Sequence, residues 1–91
     1  MSDVLKLPAA LDLNAAEPLK TELLARRGQG VTIDASDVER LGGLCLQVLL
    51  SAKRTWAADG VNLKLAPLSD AFAEQWAAFG APDFNTEGAL A

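Results

Sequence analysis

The 91 residues contain no histidine and no tyrosine, and a single cysteine and a single methionine. Without an imidazole the chain has no histidine base and none of the common His/Cys zinc sites, and one cysteine cannot close an internal disulfide. Long apolar runs are missing as well: the longest falls far short of the ~20 residues of a membrane span. The opening Met1–Pro8 stretch also lacks a basic region followed by an apolar core. The expectation is a soluble cytoplasmic protein that does not insert into membranes. Positive charge is scarce, with 8 Lys and Arg against 12 Asp and Glu and a net charge of −4. The basic residues adjoin only at Arg26-Arg27 and Lys53-Arg54. With no basic stripe, nucleic acid and anionic membrane are poor partners.

What is present is apolar substance: 51% hydrophobic against 22% charged residues, the balance of a folded globule and not of a disordered tail. A chain of this length makes one domain, 1–91, with a core over about 4–82 and a flexible tail over 83–91. Most of its apolar residues are needed for packing, which argues against a deep catalytic cleft.

Local patterns give the elements. Val4–Leu7 is a short strand that Pro8 confines to a sheet edge, and Ala10–Leu13 is a second extended piece. Asn14 and Glu17 have capping-box spacing ahead of a helix over Ala15–Arg27, with Ala16, Leu19, Leu23 and Leu24 inward and Gly28 as its left-handed cap. Gly30–Asp34 is a strand, and Ser36–Gly42 a loop. Gly43–Asp59 is a long helix, roughly 25 Å, closed by Gly60. Its apolar surface is wide: Leu44, Val48 and Ala52 on one side, Cys45, Leu49 and Trp56 on another. Val61–Leu65 alternates as a half-exposed strand. Ser69 caps a last helix whose inner stripe is Phe72, Trp76 and Phe79, stopped by Gly80 and Pro82. The order β-β-α-β-α-β-α implies an α/β fold: a mixed sheet with Val31–Ile33 central, Val4–Leu7 peripheral, right-handed crossovers and helices packed against it.

Several of these features together resemble the STAS domain family, the fold of bacterial anti-sigma factor antagonists. They are Leu11-Asp12 before the first helix, Asp34-Ala35-Ser36 after the Gly30–Asp34 strand, and Ala58-Asp59-Gly60 before the alternating strand. The resemblance covers about residues 4–82. In that family an Asp-x-Ser leads to Asp-Ser-Ser-Gly-Leu, whose second serine is phosphorylated by a partner kinase. Here the acceptor position falls on Leu44 in one register and Gly42 in the other, and Arg40 through Val48 contains no Ser, Thr or Tyr. The run Leu41–Gln47 is similar to a subgroup found in chemotaxis gene clusters. The resemblance implies a signalling adaptor, without enzymatic activity or a cofactor, that binds a protein partner of the anti-sigma kinase or chemotaxis kinase type. Its contact residues would be Ser36, Arg40, Leu41, Gly42, Gly43 and Leu44, with Arg40 and Leu41 as a small hot spot. Other readings are a STAS subunit of a lipid ABC transporter and a nucleotide sensor at Gly42-Gly43. Oligomeric state is left open.

Bland roles compete with each of these. Gly42-Gly43 lacks the lysine and hydroxyl of a phosphate loop, so a tight turn or close approach explains it better. Cys45 shares a stripe with Leu49 and Trp56, which favours packing over redox sensing. Ser36 beside Asp34 and Asp37 suits a turn hydrogen bond. Asp34, Asp37 and Glu39, lacking a nucleophile-base pair, read as a solvated acidic loop and not as a metal or catalytic cluster.

Overall fold

Burial alternates strictly along Val31–Ala35 (β3): Val31, Ile33 and Ala35 are buried, Thr32 and Asp34 half-buried. That pattern belongs to the centre of a sheet covered on one face, and β3 is the middle strand. It lies between Asp3–Lys6 (β1) and Leu63–Leu68 (β5), parallel to both. This is a computed structural model, and it describes residues 3–81 and 84. Register places Leu5, Ile33 and Leu65 side by side on the buried face. Val4, Thr32 and Lys64 form the next row on the opposite face, where Val4 is exposed.

Three helices contribute to one apolar cluster over that buried face. Ala16–Ala25 (α1) buries Ala16, Leu19 and Leu23; Gly43–Asp59 (α2) buries Cys45, Leu46, Leu49, Ala52 and Trp56; Asp70–Ala78 (α3) buries Phe72 and Trp76. Trp56 keeps its ring in the core because its Nε1–H donates to the Gln29 carbonyl at 2.7 Å. Gly60 ends α2 at φ +72, a conformation glycine enters without strain.

The expected α/β architecture, edge position of β1 and central β3 are all present. The sheet, however, is parallel throughout and not mixed. Ala10–Leu11 (β2) does not join it. Instead β2 pairs in parallel with Arg40–Leu41 (β4), a strand inside the expected Ser36–Gly42 loop, as a separate two-stranded ladder. Two-residue strands carry no periodicity, so β4 has no signature of its own.

Five local expectations also change. Asp12, not Asn14, is the cap: its carboxylate accepts from the Asn14 and Ala15 amides, and a 3₁₀ turn over Leu13–Ala15 precedes α1. Leu24 stands 54% exposed and outside the inner stripe of α1. β5 runs past Pro67 to Leu68, a position an edge strand tolerates because the missing N–H costs no ladder bond. Phe79 lies 49% exposed at the end of α3, outside the core. Phe84, expected in a flexible tail, fills the inner position, edge-to-face on Trp76 with a 5.9 Å centroid separation and with Lys53 over its ring. Pro82 and the rest of the expected tail lie outside the described residues.

Candidate functional site

Every sequence-singled residue of the loop lies between the end of β3 and the first turn of α2, and polar contacts fix that segment from three sides. Asp34 closes the turn after β3 by accepting from the Ser36 amide at 2.9 Å and the Ser36 hydroxyl at 2.6 Å. Those two donors, the hydroxyl first, hold the Asp34 carboxyl below the usual range. Ser36 therefore acts as a turn residue. Asp37 pairs with Lys6 at 3.2 Å across exposed surface. The Glu39 and Arg40 amides donate to the Ala9 carbonyl at 2.7 and 3.1 Å, and the Gly42 amide donates to the Leu11 carbonyl at 2.8 Å, which ties β4 to β2.

Helix α3 grips the same segment from the other side. The Gln75 side chain accepts from the Leu41 amide at 2.6 Å and donates to the Glu39 carbonyl at 3.0 Å. Ser69, besides capping α3 through the Phe72 amide, donates its hydroxyl to the Val38 carbonyl at 2.5 Å. Neither Gln75 nor the second bond of Ser69 enters the sequence reading. Both act across more than 30 residues of chain, and their only local signal is a polar residue next to the Phe72–Trp76 stripe.

The two glycines divide the labour. Gly42 has φ −89 and ψ 160, open to any residue, yet a Cβ there would stand 3.0 Å from the Leu11 carbonyl oxygen. Close approach of β2 explains this glycine. Gly43 begins α2 in the open: a Cβ there would meet only the Phe79 ring edge, at 3.7 Å. Gly42 offers no side-chain cap, so the first turn of α2 has no side-chain partner at its start.

The expected Arg40–Leu41 pair is not presented together. Leu41 is 4% exposed, turned into the core as part of β4, while Arg40 alternates outward. A strand of two residues must send them to opposite faces. The exposed apolar groups at the start of α2 are instead Leu44, at 49%, and Phe79 beside Gly43. Ser36, Arg40, Gly43 and Leu44 share the surface; Leu41 and Gly42 support it from below.

Cys45 is fully buried, its Sγ 3.4 Å from the Asp12 carbonyl, and desolvation pushes its thiol up, with a smaller contribution from the Asp12 charge. It is a packing residue. Among the described residues no three Cys, Asp or Glu side chains converge on a point where a metal could sit. No helix of the described residues is long and apolar enough to cross a membrane.

The family model described as "Mlab, STAS domain" matches residues 1–84. No curated protein matches the chain.

Proposed function

The chain belongs to the STAS domain family, generally non-catalytic binding or regulatory domains, and from that premise we propose a non-enzymatic signalling adaptor. It binds a regulatory protein partner through the β3–α2 segment and the first turn of α2, without a phosphorylation switch. The observation that carries this reading is the combination at the start of α2. Arg40, Leu44 and Phe79 are exposed around Gly43, while Arg40 through Val48 offers no hydroxyl to a kinase. A cationic and an apolar group held on a hydrogen-bonded segment suit a partner with an acidic, apolar patch. The partner class implied by the family resemblance is an anti-sigma kinase or a chemotaxis kinase, in the cytoplasm.

A second reading is favoured by the same missing hydroxyl: a permanently docked subunit of a lipid ABC transporter, which needs no release signal. A pull-down with mass spectrometry distinguishes the two by the protein recovered. The surface itself is tested with Gly43→Trp and Arg40→Glu, whose sites are exposed and whose folding circular dichroism should find intact. Both should weaken partner titration, Arg40→Glu by about 1–3 kcal/mol. If both fold and bind like the parent chain, the loop is not the interface. Stoichiometric phosphate on Ser36 would overturn the switch-free reading, and stabilisation by ATP or GTP in a thermal shift would replace it with nucleotide sensing.

A further inference from the structure

A second surface runs along the groove between α1 and α2, meeting the loop surface at Leu44 and extending away from Arg40. The two helices pack through Leu23, Ala52 and Trp56, and above that floor they leave a depression of about 390 Å³. Its walls are apolar. Leu24 on α1 is 54% exposed, Leu44 on α2 is 49% exposed, and Val48 is half-buried one turn further along. Its rim is cationic, with Lys20 on α1 and Arg54 on α2. No acidic side chain lines it, although the chain carries 12 acidic residues against 8 basic.

Three of the molecule's other cations differ from the rim charges, while Arg40 and Lys64 likewise show no ion pair among the described residues. Lys6, Arg26 and Arg27 are each paired with a carboxylate, Arg27 with Asp59 at 2.9 Å. Lys20 and Arg54 have no ion-pair partner among the described residues. The electrostatic complement of the groove is therefore absent from its own walls, in a protein that has carboxylates to spare.

We propose that the α1–α2 groove is a docking site for an acidic amphipathic helix of a partner protein. Two parallel rows of side chains with an apolar floor are the geometry in which a third helix seats anchors at i, i+3 or i+4, and i+7. Leu44 and Arg54 are ten positions apart on α2, about 15 Å, which matches a partner helix of roughly three turns. Leu24, Leu44 and Val48 receive its apolar anchors, and Lys20 and Arg54 meet carboxylates on its two flanks. Two cations are too few for a polybasic membrane patch, which takes 4–8.

The test is a selection of displayed helix-forming peptides against the full chain, followed by NMR titration of the strongest one. The selected peptides should carry apolar residues at the stated spacing with Asp or Glu beside them, and should shift the amides of Lys20, Leu24, Val48 and Arg54. The exposed double variant Lys20→Glu/Arg54→Glu should keep its circular dichroism and lose at least about tenfold in affinity. Arg40→Glu should leave this binding unchanged, so that failure of the loop interface and failure of the groove are told apart. The proposal is overturned if no peptide is enriched, if those enriched lack acidic residues, if shifts map elsewhere, or if the double variant binds like the parent. It is equally overturned if Lys20 and Arg54 instead govern binding to phosphatidylserine vesicles or self-association of the chain.

Discussion

Gln75 is the side chain on which the geometry of the loop surface most depends, and Gln75→Met isolates its contribution. Methionine keeps the length and nearly the volume of glutamine, so packing changes little. It removes both the acceptor for the Leu41 amide and the donor to the Glu39 carbonyl. The two losses are unequal. Leu41 is 4% exposed, so its N–H is left without a partner, at about 1–3 kcal/mol. Glu39 is exposed and can exchange the lost donor for water, adding about 0.5 kcal/mol. The expected total is about 1.5–3.5 kcal/mol, or a fall in Tm of roughly 6–28 °C for a domain of this size.

Urea unfolding followed by circular dichroism measures the total, and hydrogen exchange at the Leu41 amide locates it. Glu74→Met, one position away on the exposed side of α3, should stay within about 0.5 kcal/mol of the parent and serves as the control. A Gln75→Met variant as stable as that control, or a Leu41 amide as protected as in the parent, would refute the idea that α3 holds the loop through this side chain.

Gly42→Ala should cost about 1–3 kcal/mol in urea unfolding, because its Cβ meets the Leu11 carbonyl at 3.0 Å, whereas Gly43→Ala should be neutral or slightly stabilising; equal effects would refute the assignment of close approach to Gly42 alone. Ser36→Ala should raise the Asp34 titration midpoint, read by carboxyl NMR, since the hydroxyl is the larger of the two donors holding that carboxyl low. A depressed carboxyl stabilises the fold fully above its unfolded pKa and loses that contribution as pH falls through its folded one. The stability gap between parent and Ser36→Ala should therefore be widest near neutrality and close in the acid range, and a gap independent of pH would argue against the linkage.

The legible parts of the fold are those where one residue's neighbours along the chain decide its role. The inward Val31 and Ile33 of the expected Gly30–Asp34 strand, the αL glycine at Gly60 and the Ser69 cap each need only a few adjacent residues, and all three are present. Phe79 has the right spacing for the core but falls one residue past the end of α3, as its C-cap, and stands exposed. Phe84 had no periodic context and was found in the core. For the loop, the sequence indicates that Gly42 and Gly43 matter but cannot separate a glycine needed for close approach from one standing free. That distinction depends on β2, some thirty residues earlier. The sequence points Leu41 to the surface because the β2–β4 ladder that turns it inward leaves no periodic trace.

Ser36 is the hydroxyl at the end of β3 that precedes the missing acceptor position, and its surroundings argue against its serving as a displaced switch. Its Oγ is already the donor that closes the turn on Asp34 at 2.6 Å. A phosphate would remove that donor and set a charge of about −1.5 to −2 beside the carboxylate it had been holding. Lys6 is the cation at that end of the sheet, and it is engaged with Asp37 at 3.2 Å, so no unpaired basic group is shown there to receive the new charge. Phosphorylation at Ser36 would thus act by opening the β3 turn and not by creating a contact. The segment it would open is held independently by Gln75, Ser69 and the Ala9 and Leu11 carbonyls. A surface fixed by that many separate bonds has little ordering entropy left to lose when a partner binds, which suits continuous occupancy better than timed release.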